Sequence, residues 1–188
     1  AGNWAHPALW DRKAAKTGER WTVFPSLCDP FDNEVPDAWR LDFFKLIADT
    51  PHLTWLLLTK RIGNVLKMQS GDGLMFEAMQ RNVWLGASIV NQEEADRDIP
   101  KLLAVPAAKR FVSYEPALGP VNFRRLFQMR PLPDWLDDVE ETAPIPKSLI
   151  DQVIVGGESS QGGAKARPFD IEWARSTVRQ CREAGVAC

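Results

Sequence analysis

One continuous apolar run, Thr-Trp-Leu-Leu-Leu-Thr at residues 54–59, constrains the fold of this chain more than any other feature. The run shows no polar alternation, which is typical of a parallel strand covered on both faces. Other short runs, several rich in β-branched and aromatic residues, recur along the chain. We predict strands at residues 22–27, 54–59, 83–88, 109–114 and 152–156.

Helical patterns separate these runs. Apolar residues recur near a 3.6-residue period from Asp37 to about residue 50, from Gln92 to Leu103 and from Asp170 to Ala184. This alternation predicts an α/β fold with a parallel sheet and right-handed crossovers. We expect a partial (β/α) TIM-like barrel that lacks its first strand. The side chains expected to face its core include Trp39, Trp55, Trp173, Ile171 and Val178.

The length of 188 residues fits a single α/β domain spanning residues 1–188. Within it, residues 128–148 hold prolines among acidic side chains, which indicates an exposed Pro-rich acidic insertion. The first residues match neither an initiator methionine nor a signal peptide, and the last ones stop where a strand is expected after Gly185. We therefore expect truncation at both ends.

The charge and the cysteine content of the chain limit the classes of function that it can have. The 23 basic and 25 acidic residues leave a formal charge of −2, without the basic surplus that duplex-binding proteins use against phosphates. The longest apolar run is far too short to cross a bilayer, so no membrane association is expected. The spacing of Cys28, Cys181 and Cys188 fits neither a disulfide framework nor a metal site, which favours a reducing cytoplasm.

Polar side chains follow the predicted strands at the points where the strands end. Because the carboxyl ends of parallel strands collect functional groups, we expect these side chains to surround one pocket for a small-molecule ligand. The candidate catalytic residues are Asp29, Lys60, Arg61 and Glu115. The candidate cofactor-binding residues are Ser88, Gly156, Gly157, Glu158 and Ser159. No residue is predicted to bind a metal ion.

Each candidate also has a plainer interpretation, because a polar residue after a strand is often a helix cap or a solvated loop residue. Residues 156–163, Gly-Gly-Glu-Ser-Ser-Gln-Gly-Gly, can expose backbone amides to an anion or a carboxylate, or form a flexible surface turn. Glu158 suits an ammonium or hydroxyl group. Lys60 and Arg61 suit a phosphate or carboxylate, or an ion pair with Glu115 or Asp29.

Four strings at the strand ends occur in a familiar order. They are Leu-Thr-Lys-Arg at 58–61, Asn-Val-Trp-Leu-Gly-Ala-Ser at 82–88, Arg-Phe-Val-Ser-Tyr-Glu-Pro-Ala-Leu-Gly-Pro at 110–120, and Val-Ile-Val-Gly-Gly-Glu-Ser at 153–159, followed by Ala-Arg-Pro at 166–168. Together they resemble the phage gene-37/gene-68 family of uncharacterised proteins, which is related to radical S-adenosylmethionine enzymes. The similarity covers roughly residues 20–188.

The resemblance implies a Cys-x-x-x-Cys-x-x-Cys motif near the amino terminus that holds a [4Fe–4S] cluster, with S-adenosylmethionine as cofactor. This chain has no such motif, so we expect neither group in it; the motif was either removed by truncation or lost. By resemblance, Gly156, Gly157 and Glu158 would hold the amino acid or ribose part of the cofactor. Asp29 replaces the aspartate of the family's Ser-x-Asp-Leu-Phe string. The residues expected to face the substrate are Asp29, Lys60, Arg61, Ser88 and Glu115.

Two hypotheses follow. The chain is a radical S-adenosylmethionine-like protein of unknown substrate, inactive as this fragment if the cluster motif is missing. Alternatively, it is a non-catalytic phage or prophage module that binds a nucleotide or nucleic acid.

Overall fold

A computed structural model describes residues 3–68, 73–129, 148–160 and 164–188 of the chain. The strands are β1 (Trp21–Val23), β2 (Leu53–Thr59), β3 (Val83–Ile89), β4 (Lys109–Tyr114) and β5 (Gln152–Val155). The helices are α1 (His6–Thr17), α2 (Asp37–Ala48), α3 (Leu74–Asn82), α4 (Gln92–Ala104), α5 (Phe123–Gln128) and α6 (Ile171–Ala184), with 3₁₀ helices at Asn3–Ala5 and Ile62–Met68.

The five strands form a sheet in the order β1-β2-β3-β4-β5. β1 pairs in parallel with β2, with Trp21 opposite Leu53. β4 pairs in parallel with β5, with Phe111 opposite Gln152. Parallel strands that follow chain order and alternate with helices have the topology of part of a (β/α) barrel, so the predicted fold class is confirmed.

The chain divides into two compact units. Unit 1 comprises residues 1–86 and 105–109, and unit 2 comprises residues 87–104 and 110–188. In unit 1, β2 alternates buried with half-buried side chains, as expected for a strand with both faces covered. Trp55 of β2 is 2% exposed, and its indole N–H donates to Thr50 Oγ1 over 3.1 Å. This bond satisfies the polar atom of a buried aromatic ring.

Unit 2 has its own aromatic core. The rings of Tyr114 and Phe123 lie edge to face with centroids 6.0 Å apart, and Phe123 stacks on Phe127 at 5.5 Å. The Tyr114 hydroxyl donates to the Gly119 carbonyl, and burial raises the pKa of the tyrosine to about 12. Tyr114 therefore serves the core as a neutral hydrogen-bond donor.

Side-chain caps define where two helices of unit 2 begin. Before α4, Asn91 Oδ1 accepts from the Glu94 N–H at 3.0 Å, and Glu94 Oε2 accepts from the Val90 N–H at 2.9 Å. Before α6, Asp170 accepts from the Glu172 N–H at 2.8 Å. Such caps satisfy N–H groups that have no partner within the first turn of a helix.

Several predicted details differ from the structure. The strand predicted at 22–27 ends at Val23, because Pro25 has no N–H to pair and the following N–H groups bond locally in turns. Trp39 is 66% exposed, and Ile171 and Val178 of α6 are exposed as well. The inward position expected for Cys181 of this helix is confirmed, and Thr177 and Gln180 are buried beside it. The structure also contains helices α1 and α5, which the helical patterns described above do not predict.

Most of the predicted insertion at 128–148 lies outside the described residues, which omit 130–147. In the part of the chain that the structure describes, no helix has the length and apolar character needed to span a membrane.

Gln180 of α6 joins this helix to the start of α5, and its removal should destabilise the protein. Its Oε1 accepts from the Phe123 N–H at 2.6 Å, and its Nε2 donates to the Val121 carbonyl at 3.0 Å. We expect Gln180→Ala to lower the free energy of unfolding by about 2–3 kcal/mol, because buried backbone groups lose their partners. Urea unfolding measures this loss.

The control is Arg179→Ala at the neighbouring exposed position, where the side chain has no partner among the described residues. It should change the free energy of unfolding by no more than about 0.5 kcal/mol. Equal losses in the two variants would contradict the anchoring role of Gln180.

Candidate functional site

In unit 1, Asp29 lies in the loop after β1 and bonds to the end of β2. Its Oδ1 accepts from the Phe31 N–H at 3.1 Å, and its Oδ2 accepts from Thr59 Oγ1 at 3.0 Å. Thr59 is buried as the last residue of β2, and its Oγ1 also accepts from the Arg61 N–H at 2.8 Å. Asp29 is therefore held in place by backbone and side-chain donors together.

Arg61 is paired with two carboxylates of the same unit. Its Nη1 lies 3.2 Å from Asp29 Oδ2, and its Nη2 lies 2.7 Å from Asp32 Oδ2. This confirms the expectation that Arg61 can pair with Asp29. Lys60 is exposed, and its ammonium group contacts no partner among the described residues. Of Lys60 and Arg61, only Lys60 has no counter-charge in the described part of the chain.

In unit 2, the loop after β4 is joined to the ends of β3 and β5 by backbone hydrogen bonds. The Leu118 N–H donates to the Val90 carbonyl at 2.8 Å, and the Ala117 N–H donates to the Gly156 carbonyl at 2.9 Å. The Glu115-Pro116 peptide bond within this loop is cis. The loop therefore has a defined position beside the two segments that follow β3 and β5.

Glu115 carries its carboxylate against the backbone of Gly156. Ser113 Oγ, itself in a residue only 3% exposed, donates to Glu115 Oε2 at 3.0 Å. A Cβ atom on Gly156 would lie 2.5 Å from Glu115 Oε1, so only glycine allows this approach. Within the described residues no cation pairs with Glu115. The result is an oriented, solvent-accessible carboxylate without a counter-charge from the described chain.

Glu158 has a different environment. Its carboxylate accepts from the Arg167 guanidinium at 2.7 and 2.9 Å, and from the Arg167 N–H at 2.8 Å. These hydrogen bonds, with the guanidinium bonds the largest cause, lower the pKa of Glu158 to about 2. Both oxygens of Glu158 thus accept hydrogen bonds from Arg167, whose positive charge balances this carboxylate. That Glu158 holds part of a cofactor stays a prediction.

The other predicted cofactor-binding residues of unit 2 differ in burial. Ser88, the last residue but one of β3, is 8% exposed and has no side-chain partner among the described residues. Gly157 is exposed beside Phe169, whose ring atoms a Cβ on Gly157 would approach to 3.1 Å. Ser159 is exposed in the following loop.

The structure therefore joins some candidates directly. Asp29 contacts Arg61 within unit 1, and Glu115 contacts Gly156 within unit 2. That all candidates share one cavity stays a prediction. Sequence analysis does not identify three partners of the candidate residues: Asp32, Arg167 and the hydroxyl of Ser113. The only signal for such partners in the sequence is charge complementarity within short loops.

The cysteines do not fit an iron–sulfur cluster. Among the described residues, no three His, Cys, Asp or Glu side chains are grouped to hold a metal ion. Cys28 lies in a loop of unit 1, whereas Cys181 and Cys188 belong to unit 2. Burial, followed by the contact with Cys188, raises the pKa of Cys181 to about 12. A cluster requires several adjacent thiolates, which these residues do not provide.

Comparison with known proteins identifies a family but no activity. A family model described as a protein of unknown function (DUF5131) matches residues 1–188. No curated protein and no solved structure matches the chain.

Gly156→Ala should displace the Glu115 carboxylate while preserving the fold. The new Cβ would overlap Glu115 Oε1, which can move because it ends a flexible, exposed side chain. We expect a change in unfolding free energy of no more than about 0.5 kcal/mol, and loss of the bond from Ser113. A crystal structure of the variant, with urea unfolding, measures both effects.

Gly119→Ala is the matched control, since a Cβ there would meet only Asn91 Cβ at 3.9 Å, an ordinary contact. An unmoved carboxylate in the Gly156 variant would show that the approach to glycine does not position Glu115.

Arg167→Ala should raise the pKa of Glu158 from about 2 toward its ordinary value of 4.5. Because folding lowers this pKa, the ion pair contributes stability above about pH 4.5 and loses it as the pH falls toward 2. NMR titration of the Glu158 carboxyl group measures the shift directly. Arg175→Ala removes a different ion pair, with Glu172, and should leave the Glu158 titration unchanged. A Glu158 pKa near 4.5 in the parent protein would refute the pairing.

Proposed function

Since this chain belongs to the DUF5131 family, whose description names no activity, we propose a function from the geometry of its strand ends. The protein binds a small organic molecule that carries an ammonium group, with Glu115 as the counter-charge. By its sequence resemblance, it does so as the ligand-binding part of a radical S-adenosylmethionine-like phage protein.

One observation carries this proposal: the Glu115 carboxylate is oriented but has no cation among the described residues. Asp29 and Glu158, the other two candidate carboxylates, are both paired with arginine. A carboxylate fixed by a buried serine can meet a ligand cation without first breaking an ion pair. Charge-assisted hydrogen bonds from an ammonium group to such an acceptor are stronger than neutral ones.

The radical chemistry belongs to the resemblance and not to the described residues. The cluster would supply the electron for cleaving the cofactor, but the cysteines of this chain do not fit it. The described residues support ligand binding alone. Free thiols at Cys28, Cys181 and Cys188 are consistent with the reducing cytoplasm proposed for the protein.

The second hypothesis, a nucleotide or nucleic-acid module, has less support. A phosphate would be bound by Lys60 and Arg61, but two carboxylates already neutralise the Arg61 guanidinium. Lys60 alone supplies a point charge without the bidentate geometry that favours phosphate.

Glu115→Gln should weaken binding of a small ammonium ligand at least tenfold. The probe is ethanolammonium, which carries one ammonium and one hydroxyl group, titrated into the protein and followed by amide chemical shifts near Gly156 and Ser88. The substituted amide preserves the size of the side chain and removes its charge, so only the electrostatic attraction is lost. Added salt should weaken binding to the parent protein, since the carboxylate is exposed.

The control variant is Glu158→Gln, which should leave ethanolammonium affinity unchanged because the Glu158 carboxylate is engaged by Arg167. Ethylene glycol and acetate, which carry no positive charge, should cause no shifts at these amides. Equal losses in the two variants, or shifts caused by acetate, would overturn the assignment to Glu115.

A further inference from the structure

Unit 1 contains a concave site formed almost entirely by apolar side chains. It has a volume of about 520 Å³, within the ~300–1,000 Å³ of cavities that hold small organic ligands. We call it the tryptophan cavity. Its aromatic lining consists of Trp4, Trp10, Phe24, Trp39, Phe43 and Trp55.

Contacts among the rings fix part of this lining. Phe43 lies edge to face with Trp55, at a centroid separation of 5.5 Å, and edge to face with Trp4 at 6.2 Å. Trp55 is buried and its indole N–H is satisfied by Thr50, so it presents only apolar ring surface. In contrast, Trp39 is 66% exposed, although tryptophan is highly buried on average. The cavity thus has a buried aromatic base at Trp55 and an exposed rim at Trp39.

The charged side chain in the wall is engaged by neighbouring groups of unit 1. Arg40 is 5% exposed. Its guanidinium donates to the carbonyls of Pro30 at 2.9 Å and Val35 at 3.0 Å, and it forms an ion pair with Asp37. Burial, then the charge of Asp29, raises the pKa of the Cys28 thiol, so this thiol is uncharged at neutral pH. Among the described residues, the lining of the cavity offers neither a free cation nor a free carboxylate.

We propose that the tryptophan cavity binds a neutral, flat aromatic molecule. Aromatic rings stack and pack edge to face with one another, so indole and phenyl walls match a planar ring in shape and polarity. Indole faces also attract organic cations, but no carboxylate among the described lining residues supplies a counter-charge, which favours the neutral ligand. The concave shape favours a small molecule over a flat protein partner.

The test compares two aromatic probes that differ in charge. N-phenyl-1-naphthylamine is neutral and gains fluorescence when it leaves water; benzyltrimethylammonium is a quaternary cation that competes if it occupies the same site. We expect one neutral probe per chain, with the cation at least tenfold weaker. Trp39→Ala should weaken binding of the neutral probe at least tenfold, and because Trp39 is exposed the fold should survive. Leu9→Ala, at another exposed apolar position outside the lining, is the control and should bind like the parent.

Cys28 gives a second measurement, independent of fluorescence. Bound N-phenyl-1-naphthylamine should slow alkylation of Cys28 by N-ethylmaleimide, read residue by residue by mass spectrometry, and leave Cys188 unaffected because that exposed thiol is not part of the cavity lining. Failure of the neutral probe to bind, tighter binding of the cation, or binding insensitive to Trp39→Ala would each overturn the proposal. A dimer in sedimentation that Trp39→Ala dissociates would also overturn it, since a second copy would then fill the cavity.

Discussion

Two backbone hydrogen bonds, from Leu118 to Val90 and from Ala117 to Gly156, hold the arrangement of unit 2 on which the proposed site depends. They attach the loop after β4 to the segments that follow β3 and β5. Backbone N–H and C=O groups in loops need hydrogen-bond partners as they do in helices and sheets. Here the N–H groups of the loop after β4 donate to carbonyl groups of the two neighbouring segments. Glu115 acquires its position from these bonds, because the loop carries the carboxylate to a residue without a side chain.

The three carboxylates at the strand ends differ in their hydrogen-bond and ion-pair partners. Asp29 and Glu158 each accept hydrogen bonds from an arginine and from backbone or hydroxyl donors. Glu115 accepts from a serine hydroxyl, which orients it and leaves its charge uncompensated by the described residues. The protein thus separates carboxylates that stabilise loops from one that remains available to a ligand.

Sequence patterns predict the bounds of a strand well where a residue that cannot continue the strand follows it. The bounds of β4 match the prediction because Glu115-Pro116 cannot continue a strand. The position of Trp39 on α2 is harder to predict: apolar residues occur around much of this helix, so periodicity does not show that Trp39 lies outward. The Glu158–Arg167 pair is not predictable either, because it joins residues nine positions apart in the sequence, a spacing that neither helix nor strand periodicity indicates.

Arg40 limits the insertions and cleavages that the loop at residues 30–35 can accept. Its guanidinium satisfies carbonyl groups of residues 30–35, a stretch without regular secondary structure, so a helix side chain sets the conformation of that loop. Surface loops usually accept insertions and proteolytic cleavage readily. This one should resist both, since lengthening it would separate several acceptors from one buried donor. Insertions and cleavage in this part of the chain should instead occur near Leu27, whose side chain is fully exposed.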